Sequence, residues 1–387
     1  MENKKYKKAV GLEGFLCIIF FFGFFIFLGS KMGVVNMFNT LMKTGHDLIL
    51  NTVFFIMAIA VIAGAVASIF SEFGVISIVN RILSPLMKPL FDLPGVAALG
   101  ILTTYLSDNP AIITLAHNKV FLRYFKKYQV PALTNLGTGF GMGLVLTTFM
   151  IAQKSPNGEN FIVAALMGNI GAIIGSIVSV RLMLRTTKKE FGTEEPAFES
   201  DDTGIDTIKY REVREGSVGA RLLESVLEGG KSGVELGMSI IPGVVIICTL
   251  VLMLTKGPSP SGEYTGAAYE GVRFFPWIGD KLQFIINPLF GFKSSEAIAF
   301  PITSLGAVGA AMSLVPQFLE QNLIGGNEIA VFTAMGMCWS GYLSTHVAMM
   351  DSLKFRKLTG KAILSHTVGG LAAGVSAHLL YMLVTLF

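Results

Sequence analysis

The sequence predicts an all-α polytopic membrane protein built from two inverted-topology repeats, and three observations carry that prediction. Hydrophobic residues make up 52% of the 387-residue chain and charged residues 14%, with a mean hydropathy of +0.63. Soluble chains average about 25% charged residues, so the deficit points to lipid as the solvent. Apolar runs near the length of about 20 residues that a spanning helix needs recur along the chain. Finally, the chain matches itself at a constant offset of 199 residues.

The apolar runs are Gly11–Gly33, Leu48–Phe70, Leu133–Ala152, Phe161–Leu184, Val234–Leu254, Ile329–Met350 and Ala362–Phe387. The first is long and rich in Phe and lacks a small-residue cleavage pattern, so it reads as a retained helix. Cys17, Cys248 and Cys338 all fall inside apolar runs and read as buried small hydrophobes rather than disulfide partners. The net charge of +4 comes from Lys/Arg clusters beside the spans. It is an orientation signal and not a nucleic-acid footprint.

At the 199-residue offset, Pro89-Leu90-Phe91 falls on Pro288-Leu289-Phe290, Thr104 on Thr303 and Leu106 on Leu305. Thr134 and Gly137 fall on Thr333 and Gly336, and Gly171 and Gly175 on Gly370 and Gly374. Each unit reads as a spanning helix, an interfacial amphipathic segment (72–91; 276–290), a helical stretch broken in its middle (95–122; 294–319) and two more spanning helices. A helical run of about 12 residues rises about 18 Å, roughly half the hydrocarbon core. Leu93–Leu106 therefore reaches the midplane, where Ser107-Asp108-Asn109-Pro110 interrupts it. Asn109 suits a helix N-cap and Pro110 the first helical position, so a second helix starts there and the stretch reads as a re-entrant hairpin. The second unit breaks at Gly306-Ala307-Val308-Gly309, with Ser304 and Ser313 nearby.

Loop charges predict the orientation. The basic end, Met1 to Lys8, belongs in the cytoplasm. With two hairpins returning to their own sides, the 118–129 loop, with Lys119, Arg123, Lys126 and Lys127, is inside. The matched 317–328 loop, with only Glu320 and Glu328, is outside. The next pair reverses: 154–159 is outside, whereas Lys354, Arg356, Lys357 and Lys361 are inside. Equivalent loops of opposite bias are what inverted repeats predict. Seven spans place the carboxyl end outside a multi-pass cell membrane protein.

Four regions follow. Residues 1–45 form a basic cytoplasmic tail and an extra spanning helix, and 46–185 the first repeat. Residues 186–233 form a cytoplasmic linker with a short interfacial helix at Arg221–Leu227, expected to be mobile through its polar stretches. Residues 234–387 form the second repeat.

Asp108 is the foremost candidate for chemistry, because a carboxylate near the membrane centre is costly and marks a function by default. It reads as a substrate or cation ligand at the hairpin tip, with Ser107 and Asn109 beside it; the bland reading is a helix cap. The Gly-rich run Thr134–Gly143 is a poor continuous helix, and its partner Met337–His346 is polar and aromatic. Partly unwound, these segments would line a cavity with Asn135, Thr138, Ser340, Ser344, Thr345 and His346. Close packing through Gly137/Gly141 and Gly139/Gly143 is the alternative. Glu296, after Ser294-Ser295, fits a helix first turn. His346, His366 and His378 lack ligand spacing, so no metal centre is expected. Gly229-Gly230-Lys231-Ser232 imitates the end of a P-loop, but Ser225 stands where the earlier glycine is required. With no G-x-S-x-G, H-E-x-x-H or C-x-x-C, the chain is not expected to be an enzyme, and no cofactor is expected beyond a coupling Na⁺ or H⁺.

Leu83-Ser84-Pro85-Leu86, Pro89-Leu90-Phe91, Pro94–Gly100 and the break ending Asn109-Pro110-Ala111 resemble the Gate, or nucleoside recognition, domain. That domain is shared by concentrative nucleoside transporters, the FeoB membrane domain, YjiH-type membrane proteins and spore maturation proteins A and B. The first unit is most similar to spore maturation protein A. The second, from Asn287-Pro288-Leu289 to Ser344-Thr345-His346 and the last span, resembles protein B. The chain thus looks like the two fused over most of 46–387. In the nucleoside transporters the hairpin tips and unwound helices hold nucleoside and sodium, which implies such roles for Ser107, Asp108, Asn109, Asn135 and Thr138. The expected function is an alternating-access transporter of a small polar or anionic solute, nucleoside-related, with membrane lipid and that solute as partners. The alternative is a non-transporting assembly protein of the spore-maturation type, with a homo-oligomer or membrane protein as partner.

Overall fold

The computed structural model describes residues 9–109, 111–117, 119–197, 210–211 and 213–386, the side chains of 114, 119 and 120 excepted. The basic Met1–Lys8 segment, Pro110 and the acidic Ser200-Asp201-Asp202 lie outside the described residues. Every named element is a helix, and the chain is a multi-pass membrane protein. Six stretches among the described residues are long and apolar enough to cross a bilayer: 12–32, 34–72, 127–152, 162–191, 218–255 and 356–385. The run 329–350 is not in this set; it is two helices separated at Trp339–Gly341.

The first half begins with the Phe-rich α1 (Leu12–Met32), whose side chains are mostly exposed, as lipid contact requires. Gly33, at φ 77, turns the chain into α2 (Val34–Asp47), which runs through a π-helical segment, Leu48–Val53, into α3 (Phe54–Glu72). The amphipathic α4 (Val75–Phe91) follows, then the broken stretch α5 (Ala97–Leu106), α6 (Ala111–Ala116) and α7 (Lys119–Leu122). Next come a broken span, α8 (Ala132–Thr138) and α9 (Gly143–Ala152), and the long α10 (Ile162–Phe191).

The second half repeats this order. α11 (Val218–Pro242) passes through a π-helical segment, Gly243–Cys248, into α12 (Thr249–Thr255). The amphipathic helix is α13 (Phe274–Phe290). The broken stretch is α14 (Ala299–Ser304), α15 (Val308–Met312) and α16 (Val315–Glu320). The broken span is α17 (Gly326–Cys338) and α18 (Tyr342–Ser352), and α19 (Thr359–Thr385) closes the chain.

The backbone carries the 199-residue offset more sharply than the residues do. α4 and α13 begin and end 199 positions apart. Left-handed backbone occurs at Gly74 and Arg273, at Asp92 and Gly291, and at Met142 and Gly341, each pair at the same offset. Asp92, Met142 and Arg273 adopt it despite carrying side chains, which is uncommon for L-residues. The turn geometry is therefore kept even where glycine is not.

Equivalent helices pack against each other antiparallel. Gly171 and Gly175 on α10 meet Ala377 and Ala373 on α19, and Gly369 meets Ser179. Rising numbers on one helix meet falling numbers on the other. The same holds for α3 and α11, where Gly64 meets Gly229, Ala60–Val61 meets Gly233, and Met57 meets Gly237. Gly229 of the P-loop imitation, with Gly233 and Gly237, thus forms half of a helix-crossing stripe, since small residues let backbones approach.

Two expectations change. Arg221–Leu227 is not a separate interfacial helix but the first turns of α11, whose start is capped by the Ser217 hydroxyl accepting from the Ala220 N–H at 3.3 Å. The described linker residues are also tied down rather than loose. Lys127 N–H donates to the Glu195 carbonyl at 2.8 Å and Ala197 N–H to the Phe125 carbonyl at 3.0 Å. On the other side, Glu72, 3% exposed, receives Arg214 at 2.7 Å and Arg221 at 2.6 Å, and its carbonyl receives Arg211 at 3.0 Å. A carboxylate with two guanidiniums can be buried here because both of its oxygens are paired.

The α3–α11 crossing gives a paired test. A methyl on Gly233 would run into the Val61 backbone, whereas one on Gly230 would stand 3.5 Å from a single Val61 methyl. Gly233→Ala is expected to cost about 1–3 kcal/mol by overpacking, read as a lowered Tm in detergent, while Gly230→Ala leaves Tm unchanged or higher through helix propensity.

Candidate functional site

The two chain breaks expected at mid-membrane both lie against the break of one spanning helix, at Ser340–Gly341. α5 and α6 pack as a hairpin whose tip is Ser107–Asn109, and α14 and α15 form the matching hairpin with its tip at Leu305–Ala307. Each tip lies against the break of a spanning helix. The Asn109 amide donates to the Ser340 carbonyl at 2.5 Å, and its other face abuts Gly141, where a Cβ would collide with it. The Gly341 N–H donates to the Ser304 carbonyl at 2.9 Å. The hairpin of the first half is thus tied to the broken span of the second. The Ser340 carbonyl and Gly341 N–H are free because α17–α18 is interrupted at left-handed Gly341, and the Ser304 carbonyl because α14 ends there.

A buried polar chain fastens the broken spans to the long helices. The Asn135 amide donates to Ser179 Oγ at 2.9 Å and to the Ala362 carbonyl at 3.0 Å. His366 Nε2 lies 2.5 Å from the Cys338 carbonyl, and Nδ1 lies 2.8 Å from Ser179 Oγ. A carbonyl only accepts, so Nε2 carries the proton and donates; Nδ1 then accepts from the serine hydroxyl, which itself accepts from Asn135. Neutral His366 completes the chain with each donor used once. His346 sits beside it at a ring separation of 4.8 Å, its Nδ1 donating to the Tyr342 carbonyl at 3.1 Å. Asn109 Oδ1, Asn135 Oδ1 and His346 Nε2 are buried acceptors with no donor in reach.

Asp108 faces a different space. With Ser107 it lines a cavity of about 340 Å³ between the hairpin tip and the α3–α11 crossing, together with Ser232, Glu235 and Ser239 of α11. No lysine or arginine lines it. Asp108 accepts from the Asn109 N–H at 2.7 Å, which leaves carboxylate capacity directed to the cavity. Its volume is at the lower end of small-ligand pockets, about 300–1,000 Å³, and far exceeds what a bare ion needs.

The other expected residues divide. Ser340 and Ser304 join the meeting of the breaks through their carbonyls, while the Ser304 hydroxyl returns to the Pro301 carbonyl at 2.8 Å. Thr138 and Thr345 are near the breaks but bond their own helices, to Thr134 and Gly341. Ser313 is not at the tip: its hydroxyl contacts Cys248 Sγ at 2.9 Å, against the π-helical segment of the second half. Ser344 is exposed on α18 and does not face the site. Glu296 pairs with Arg273 at 3.0 Å. Among the described residues no group of three or more His, Cys, Asp or Glu could hold a metal ion.

Sequence reasoning passed over Glu235, Ser179 and His366. Glu235 was visible as an acid inside an apolar spanning run, and that alone is a signal. His366 and Ser179 carry none, since their meaning depends on partners 28 and 187 residues away.

No protein-family model matches the chain, and no curated protein does. Solved structures do. CNTnw, a concentrative nucleoside transporter, matches in an inward-facing substrate-bound state with TM-score 0.53 and 11% identity, covering 87% of this chain and 80% of that one. A CNTnw double mutant in an outward-facing state matches with TM-score 0.54 and 12% identity over 85% of this chain and 75% of that one. A CNTnw variant in an intermediate state matches with TM-score 0.53 and 11% identity over 95% and 82%. The chain therefore has an all-helical, nucleoside-transporter-like membrane fold.

Proposed function

We propose that the chain is a secondary transporter for a small polar solute, moved by alternating access and coupled to Na⁺ or H⁺. One observation carries this reading: a hairpin tip bearing Asp108 meets the breaks of two spanning helices beside a cavity that also holds Glu235. Broken helices at membrane depth are tolerated where they line a cavity, and there they supply ligand and ion contacts. The antiparallel packing of equivalent helices supports two units of opposite orientation, the arrangement in which one unit rocks against the other. The likeness to a transporter captured facing inward, facing outward and between supports the same reading.

The lining narrows the solute. Two carboxylates and three serines with no cation nearby suit hydroxyl-rich neutral or cationic solutes, nucleosides among them, and disfavour the anionic class considered from sequence. Asp108 is the coupling residue in this reading, Glu235 a solute contact, and Asn109 the link between the tip and the second half. The Gate-type resemblance, the cytoplasmic amino end, the outside carboxyl end and the cell membrane location belong to the same proposal.

Two predictions follow from the site. In proteoliposomes, uptake of a panel of nucleosides and amines is expected to depend on an imposed Na⁺ or H⁺ gradient, and Asp108→Asn to reduce it at least roughly tenfold, the equivalent of about 1.4 kcal/mol. Gradient-dependent uptake that survives this substitution removes Asp108 from coupling, and no uptake of any panel member removes the reading. Asn109→Leu is expected to leave the Ser340 carbonyl unpaired at a cost of about 1–3 kcal/mol. It should lower the Tm of purified protein, a loss that Asn109→Gln partly restores.

A further inference from the structure

A second cavity, of about 540 Å³, lies at the end of the α11–α12 span away from the linker, lined among others by Lys256, Arg273, Glu270, Glu296 and Gln321. It shares no lining residue with the Asp108 cavity. Along the helix, Ser239 and Lys256 are about 25 Å apart.

Lys256 is the unusual group. The residue is 6% exposed, its Nζ donates to Gln321 Oε1 at 2.5 Å, and it lies 5.2 Å from the centre of the Phe318 ring. Among the described residues no carboxylate forms an ion pair with it within 4 Å. A buried ammonium with only a neutral hydrogen-bond partner is costly unless something else compensates it. The two acids of the same cavity are committed elsewhere. Glu296 takes Arg273 Nη2 at 3.0 Å. Glu270 takes the Thr265 hydroxyl at 2.7 Å and the N–H groups of Thr265 and Gly266 at 2.9–3.1 Å. The formal charges of the lining balance, but Glu270 and Glu296 are 3% and 8% exposed and hydrogen-bonded within the protein, whereas the Arg273 side chain is 58% exposed. Arg273 uses one donor of its fork on Glu296, and the Gln321 amide retains its N–H donors. A point charge, a guanidinium fork and an amide around one space suit a group with several acceptor oxygens.

We propose that Lys256 and Arg273, with Gln321, form a binding site for a phosphate group, distinct from the transport cavity. The place allows two sources. Arg273 caps α13, whose first turn exposes Phe274 and Trp277 with rings stacked at 6.2 Å, an aromatic signature of headgroup depth. A lipid phosphate can reach the site from the bilayer, and a soluble phosphate compound from the water.

The site has a built-in pH dependence. Burial pushes the Lys256 ammonium down to about 8, against the opposing pull of Glu296 and Glu320. Burial and Asp47 push the facing Tyr269 phenol up, and Arg273 stays charged. Between pH 7 and 9.5, Lys256 is therefore the group facing the cavity that loses its charge, and anion binding weakens as it does.

Sulfate is the probe, because it keeps its charge over this range. In the full-length purified chain at constant ionic strength, low-millimolar sulfate should raise Tm saturably at pH 7. Its apparent affinity should fall roughly tenfold or more by pH 9.5. Lys256→Gln should abolish the shift, and Lys256→Arg should keep it at both pH values. Asp108→Asn should leave it intact, which separates this site from the transport reading. Native mass spectrometry of protein from phosphatidylglycerol-containing nanodiscs decides the source. Lipid retained by the wild type but not by Lys256→Gln, and displaced by sulfate, assigns a headgroup; a sulfate shift without retained lipid assigns a soluble phosphate. No sulfate shift, an equal shift in Lys256→Gln, or the same pH loss in Lys256→Arg overturns the proposal.

Discussion

The architecture depends on one constraint: backbone N–H and C=O groups released inside a membrane must find partners within the protein. Four helical paths are interrupted here, two in hairpins and two in spans. Their loose ends answer one another. The Ser340 carbonyl of the second half accepts from the Asn109 amide of the first, and within the second half the Gly341 N–H donates to the Ser304 carbonyl. The Asn109–Ser340 bond crosses between the halves, so a place where the helices fail is also one where the halves are joined. A cavity with convergent polar groups follows from the same constraint, because unwound backbone brings its own donors and acceptors.

Around that centre, packing is governed by the absence of side chains. The two long crossings, α3 with α11 and α10 with α19, close through glycine and alanine stripes that bring backbone against backbone. In lipid, hydrophobicity does not drive helices together, so close contact and dispersion must. The stripes hold the scaffold rigid while the hairpins, made of short helices, are the elements with fewer turns to lose.

Much of this was legible in the sequence, and the limits are physical. The constant offset, the amphipathic helices and the break at Asp108-Asn109 are local patterns, and each appears where the residues placed it. The partners of those residues were not legible, because Asn109 to Ser340 is a contact across 231 positions that no local rule encodes. Ser313 and Ser344 were grouped with the site by nearness in sequence. A helix turns such neighbours away: Ser344 rotates outward three residues past Gly341, and Ser313 lies about 9 Å down its arm from Ala307. Glu235 stands second in an apolar run, after Val234, and that position was its signal. The linker looked loose by composition, yet Glu72 and its three arginines hold its far end.

That last attachment changes the polymer physics of the molecule. The segment joining the halves is anchored to the first half twice, by residues 194–197 against 125–127 and by residues 211–221 against Glu72. The described ends of the linker are therefore both held on one body. The second half is presented to the first at the start of α11, beside the α3 stripe it must meet.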